Sequence, residues 1–143
     1  MNKHSWKWTA RTAALVIGCI GFGVLPARAA TIGGFLGAPA SAVDVYGLTC
    51  PTQTQSVRAR VNEGNTTGVQ FSVVVINPLG RATAASAVDN GLSPVAILDG
   101  EAGNYLVTVH KDAEGGEGYN VTIDCHDANG SALGIRATRV QNQ

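Results

Sequence analysis

The sequence predicts an all-β fold, a single antiparallel β-sandwich of about eight strands, preceded by a cleaved signal peptide. Three observations lead there. From Val43 onward, β-branched and aromatic residues alternate with polar ones, and Gly, Pro, Asn or Asp interrupt them roughly every eight to twelve residues. No stretch holds a helical apolar period over a useful length. Two cysteines, Cys50 and Cys125, each close an inward-facing row of side chains. A small barrel is the alternative architecture for the same pattern.

The N-terminal segment 1–30 reads as the leader. Residues 1–12 are polar and cationic, 13–26 are apolar (AALVIGCIGFGVLP), and Ala27-Arg28-Ala29 offers small residues where a signal peptidase needs them. Cleavage is expected near Ala29 or Ala30, with a cut near Ala40 or Ala42 as the alternative. Val16-Ile17-Gly18-Cys19 fits a lipoprotein box, which would instead anchor the chain through Cys19. The apolar run is too short to span a bilayer comfortably. Residues 31–42 (TIGGFLGAPASA) are small and uncharged, and read as a flexible linker or arm. The sandwich domain is then 43–143.

Within that domain each strand has its own signal. Asp44 to Cys50 places Tyr46, Leu48 and Cys50 on one face and stops at Pro51. Ser56 to Asn62 alternates Val57, Ala59 and Val61 against Arg58, Arg60 and Asn62. Val69 to Ile76 is apolar on both faces at its end, as in a central strand, and closes with the turn Asn77-Pro78-Leu79-Gly80. A weaker strand covers Ala82 to Val88, and a short one Val95 to Leu98. Tyr105 to Lys111 points Tyr105, Val107 and Val109 inward; Tyr119 to His126 does the same with Tyr119, Val121, Ile123 and Cys125. The acidic, glycine-rich run 112–118 is expected to join these two as a hairpin, and Gly134 to Val140 forms the last strand.

Exported chains with two cysteines usually pair them. If the strands ending in Cys50 and Cys125 lie across the sandwich with the same polarity, their sulfurs meet. The closed loop of about 75 residues would then stabilise the fold by roughly 4 kcal/mol through chain entropy.

Charge and composition remove several function classes. Ten Lys+Arg balance ten Asp+Glu overall, but Lys3, Lys7, Arg11 and Arg28 belong to the leader, leaving six cations against ten acids. A domain of that charge, with Lys111 its one lysine, lacks the basic surface that nucleic-acid binding requires. With 45% hydrophobic and 14% charged residues, the chain has enough apolar surface to fold. No catalytic motif is present: no G-x-S-x-G, H-E-x-x-H or C-x-x-C. His110 and His126 are expected on outward faces. Asp124-Cys125-His126-Asp127 invites a metal or triad reading, but with Cys125 inward its polar members form a solvated surface. Asp127-Ala-Asn129-Gly130 lacks the remaining ligands of a calcium loop and reads as an Asx-rich turn. Asp112, Glu114 and Glu117 could hold Ca²⁺ weakly, but solvated loop charge is the expectation. No catalytic, cofactor or metal residues are therefore assigned, and the disulfide Cys50–Cys125 is the one site expected.

Asp44-x-Tyr46, the turn Asn77-Pro78-x-Gly80, the strand Gly103-Asn104-Tyr105-Leu106-Val107-Thr108-Val109, the glycine-rich connection and Tyr119-Asn120-Val121-Thr122-Ile123 follow one another in a familiar order. Over residues 43–126 the chain resembles the bacterial pre-peptidase C-terminal (PPC) domain. The family's Asp-rich strand has no counterpart here, where the third strand reads VQFSVVVINP. The resemblance implies a jelly-roll-like sandwich, and a non-catalytic module associated with export, attachment or substrate binding. The expected function is an exported, non-enzymatic binding or accessory module, secreted or periplasmic, with an unidentified protein or surface partner. A filament or surface-layer subunit that exchanges its arm or an edge strand is one alternative, and a small secreted enzyme another.

Overall fold

The computed structural model describes residues 29–64, 68–85 and 91–143. The expected leader up to Arg28, with Cys19, and the second half of the strand drawn over Ala82 to Val88 lie outside the described residues. Ten strands are present: β1 (Ala30–Leu36), β2 (Val43–Cys50), β3 (Ser56–Glu63), β4 (Phe71–Asn77), β5 (Gly80–Ala85), β6 (Ala96–Asp99), β7 (Gly103–Lys111), β8 (Glu117–His126), β9 (Ala132–Leu133) and β10 (Ala137–Gln141). Among the described residues there is no helix, hence none long and apolar enough to cross a membrane.

Pairing follows a simple rule. β1 joins β8, β2 joins β7, β3 joins β6 and β4 joins β5, every pair antiparallel. The chain is thus one long hairpin with its tip at the β4–β5 turn. Rolling that hairpin brings β3 beside β8 and β4 beside β7, and two five-stranded sheets result. One runs β1-β8-β3-β6 with β9 at the end of β8; the other runs β10-β2-β7-β4-β5. This is a jelly roll, and the all-β sandwich read from the sequence is the fold observed.

The alternating side chains meet between the sheets. Leu36, Val57, Ala59, Val61, Tyr119, Val121 and Ile123 come from the first sheet; Tyr46, Leu48, Phe71, Val73, Val75, Val107 and Val109 come from the second; all are buried. The Phe71 and Tyr119 rings pack at 5.6 Å between centroids, tilted by 43°. At one end of this core Cys50 of β2 and Cys125 of β8 form a disulfide, with α-carbons 5.9 Å apart. It staples one sheet to the other, and a bonded pair is consistent with an oxidising compartment.

Three expectations are corrected. Residues 31–42 are not wholly a linker, because Ala30–Leu36 is the edge strand β1, in register with β8 from Ala30↔Ile123 to Leu36↔Glu117. The small residues that suggested flexibility are there for packing: a Cβ at Gly34 would collide with the Tyr119 ring. The connection 112–118 is not a hairpin, since β7 and β8 belong to different sheets; it arches across the sandwich. Lys111 holds the arch by donating from Nζ to the carbonyls of Gly37, Ala38 and Gly115, and Gly115 takes the left-handed backbone (φ 124°) that the bend requires. Finally, the expected last strand over Gly134 to Val140 starts too early: the chain crosses to the other sheet over 134–136, Ala137–Gln141 forms β10 against β2, and the short β9 (Ala132–Leu133), which was not expected, pairs with β8 before the crossing.

Local turns follow their sequence. Asn77 Oδ1 accepts the N–H groups of Leu79 and Gly80 at 2.9 and 2.8 Å, which closes the β4–β5 hairpin. Asp127 Oδ1 accepts from Asn129 and Ser131 at 2.9 and 2.8 Å, with Gly130 at φ 76°, so this segment is the Asx turn expected. β4 is an interior strand of its sheet, with Val73 and Val75 buried and Val74 half-buried on the outer face.

Removing the staple in a Cys50→Ala, Cys125→Ala variant should lower the unfolding free energy by about 4 kcal/mol in urea titrations. An unchanged midpoint would contradict the cross-sheet bond.

Candidate functional site

Two polar arrangements stand out, one inside the sandwich and one on its surface. The first begins with Asp44, which β2 turns inward on the same face as Tyr46 and leaves fully buried. Tyr119 of β8 donates its hydroxyl to Asp44 Oδ2 at 2.5 Å. That commits the Tyr119 proton, so in the 2.5 Å contact between the two phenols Tyr46 donates to Tyr119. Arg139 of β10 then donates from Nη2 to the Tyr46 oxygen at 3.0 Å. A directed chain results, from Arg139 through Tyr46 and Tyr119 to Asp44, and each link polarises the next.

The chain is anchored at both ends. The same Arg139 Nη2 donates to the Gly33 carbonyl of β1 at 2.7 Å, and Nη1 to Asn142 at 2.8 Å. Arg139 Nε lies 3.8 Å from Asp44 Oδ2, and the guanidinium sits 5.3 Å from the centre of the Tyr46 ring. Asp44 Oδ1 accepts the Gln143 N–H at 3.0 Å. Burial raises the Tyr119 pKa well above the ordinary phenol range, and the hydrogen bonds to Asp44 and Tyr46 add to the shift. Burial alone would lower Arg139, but its bond to Tyr46 and the Asp44 charge outweigh this and raise it. Asp44, Tyr46 and Tyr119 are all closed to solvent. The cluster is a tie between sheets and not a place where a substrate can react.

The second arrangement lies on the outer face of the first sheet. Strand alternation turns Arg58 and Arg60 of β3 outward, and Thr122, Asp124 and His126 of β8 beside them. Register sets Arg58 opposite Asp124 and Arg60 opposite Thr122. Together with Ala29 and Val95 these residues line a groove of about 240 Å³. His126 Nδ1 faces the Gly130 carbonyl at 2.8 Å and Nε2 faces Asp124 Oδ1 at 3.2 Å. Both ring nitrogens thus face oxygen acceptors of the protein itself.

The remaining residues weighed from the sequence do not converge. His110 is half-buried on the other sheet, 2.7 Å from Thr108 Oγ1, and burial lowers its pKa. In the arch, Asp112 accepts the Gln70 N–H at 2.8 Å, Glu114 is exposed, and Glu117 turns into the core as the first residue of β8. Their carboxylates therefore do not form a shared cation cage. Among the described residues, no group of three or more His, Cys, Asp or Glu is placed to hold a metal ion.

Sequence reading placed Arg58, Arg60, Asp124 and His126 outward, and their meeting is what the β3–β8 pairing adds. It missed the role of Arg139. A signal did exist: Asp44 shares a face with Tyr46, Leu48 and Cys50, and an inward carboxylate needs a charged or donating partner.

No protein-family model matches the chain, and no curated protein matches it. Among solved structures it is similar to the Clostridium perfringens CspB protease, at 14% identity and a TM-score of 0.48 over 79% of this chain. The chain spans 27% of the length of that protease.

Replacing Tyr119 by Phe removes the bridging hydroxyl and leaves the buried Asp44 short of a donor, which should cost about 1–3 kcal/mol. The raised Tyr119 pKa also gives a sign. The folded state resists ionisation more than the unfolded chain does, so stability is intact below the unfolded tyrosine value of about 10 and falls as pH rises above it. Urea titrations between neutral and alkaline pH should show that fall in the wild type and a shallower one in Tyr119→Phe. Identical slopes would contradict the buried chain.

Proposed function

We propose that the chain is exported and works outside the cytoplasm as a non-enzymatic binding or accessory module, of the kind PPC domains supply. The observation that carries this reading is the outer groove of Arg58, Arg60, Thr122, Asp124 and His126. It offers polar and cationic groups on an open sheet face, and both strands that present it are interior to a sheet stapled to its neighbour. Such a surface is suited to holding a partner in place. Export is supported by the leader pattern and by a paired Cys50 and Cys125, since disulfides persist mainly in oxidising compartments. Kinship with PPC domains rests on the order of residues that suggested it, from Asp44-x-Tyr46 to Tyr119-Asn120-Val121-Thr122-Ile123. The filament alternative would draw on an edge strand, since much of the arm it invoked, Ala30–Leu36, pairs with β8 within the domain.

The test begins with the full-length chain expressed in a bacterium. Fractionation, intact mass and size-exclusion should find a cleaved, disulfide-bonded monomer outside the cytoplasm. That protein should co-sediment with envelopes prepared from its source cells. A chain that stays in the cytoplasm with free thiols, that polymerises as its concentration rises, or that never co-sediments would overturn the proposal.

A further inference from the structure

We infer that the outer groove recognises an extended acidic peptide, one that carries carboxylates at alternate positions. This rests on the binding reading above and names the ligand class.

The inference starts from unpaired charge. Once the leader is set aside, the chain has six cations and ten acids, so every cation has acids available to it. Arg139 is engaged through both Nη atoms and by the Asp44 charge, though its Nε also lacks a hydrogen-bond partner, and Lys111 is held by three carbonyls. Arg58 and Arg60 differ. Among the described residues neither makes an ion pair or a side-chain hydrogen bond, and Arg58 Nε is buried with no partner. A guanidinium nitrogen removed from water without an acceptor is costly, and such a group calls for an explanation. Asp124 lies directly opposite Arg58 but turns to His126 instead, which leaves the Arg58 fork open. Planar forks of this kind match carboxylates bidentately.

Spacing and surroundings choose the peptide. Arg58 and Arg60 are two residues apart on one strand, so their stems stand roughly 7 Å apart. Alternate side chains of an extended peptide lying along β3 have the same repeat, which lets two carboxylates meet two guanidiniums in register. On the β6 side the groove is bordered by Val95 and Ile97, which are 45% and 50% exposed, and Ile97 sits directly across from Arg58. The methylene stems of the two acidic side chains would pack beside them, while the residue between the acids points away from the sheet. None of the residues lining the groove is Phe, Tyr or Trp, so it lacks the broad stacking platform that an acidic polysaccharide would use.

The test uses mature protein and three fluorescent probes: a peptide containing Glu-Val-Glu, its Gln-Val-Gln counterpart, and an oligogalacturonate. The Glu peptide should bind, with affinity falling as salt rises, and the Gln peptide should bind at least about tenfold more weakly. Arg60→Gln, at an exposed position, should weaken the Glu peptide on the order of tenfold. Arg81→Gln, on β5 of the other sheet, should not. In ¹⁵N spectra of the wild type the Arg58 Nε–H signal should shift as the peptide is added, a readout that does not depend on Arg58 variants folding. Glu-peptide binding indifferent to Arg60→Gln, or an unmoved Arg58 signal, would overturn the inference. Preference for the oligogalacturonate would overturn the peptide assignment. If no probe binds while the protein still co-sediments with envelopes, the inference fails and the binding module stands; loss of both removes the reading beneath it.

Discussion

Asp44 lies on the inward face of β2 between two layers of apolar side chains, where an unpaired carboxylate would cost several kcal/mol. The structure answers with a hydrogen-bonded chain that cannot be built within one sheet. Its donor, Tyr119, comes from β8 in the opposite sheet, and Arg139, at the far end, reaches back to the backbone of β1. Satisfying one buried charge therefore fixes β1, β2, β8 and β10 relative to one another. Six residues further along β2 and along β8 the disulfide repeats the connection covalently. The two strands run the same way on opposite sides of the core and are tied at both ends, so neither can slip without breaking a bond or stranding a charge. The rolled hairpin closes around this pair.

That closure bears on function through rigidity. The groove is built on β3 and β8, the two interior strands of their sheet. Its arginine, threonine, aspartate and histidine side chains project from the mutually paired backbone of β3 and β8, so their spacing is set by strand geometry. Arg58 and Arg60 hold their separation because β3 is paired with β6 over Ser56 to Ala59 and with β8 over Ser56 to Glu63. A surface of that kind loses little entropy when a partner settles on it. The buried cluster and the outer groove thus divide the polar residues of the domain: one set holds the layers together, and the other faces outward.

Much of this was legible in the sequence, for a local reason. Strand alternation has a period of two, so the inward sets Tyr46-Leu48-Cys50, Val57-Ala59-Val61 and Tyr119-Val121-Ile123-Cys125 could be read directly, and with them the pairing of the cysteines. The outward placement of Arg58, Arg60, Asp124 and His126 followed from the same alternation. Partner choice was not legible, because it depends on contacts between residues far apart in the chain. Hence the connection 112–118 passes for a hairpin, although β7 and β8 lie in different layers, and the last strand is expected from Gly134 although residues 134–136 cross between the sheets and only Ala137–Gln141 is strand. β1 was hidden for another reason. Gly33 and Gly34 resemble linker composition, and only the Tyr119 ring lying against Gly34 explains why a strand should be so small.

Amide hydrogen exchange on the oxidised, mature protein examines this arrangement at its centre. β8 should contain the slowest-exchanging amides, and the β1 amides bonded to it should be protected within the same cooperative unit. Exchange of residues 30–36 at the rate of free chain, or rapid exchange around Tyr119 while the disulfide remains intact, would show that the layers are not tied through β8.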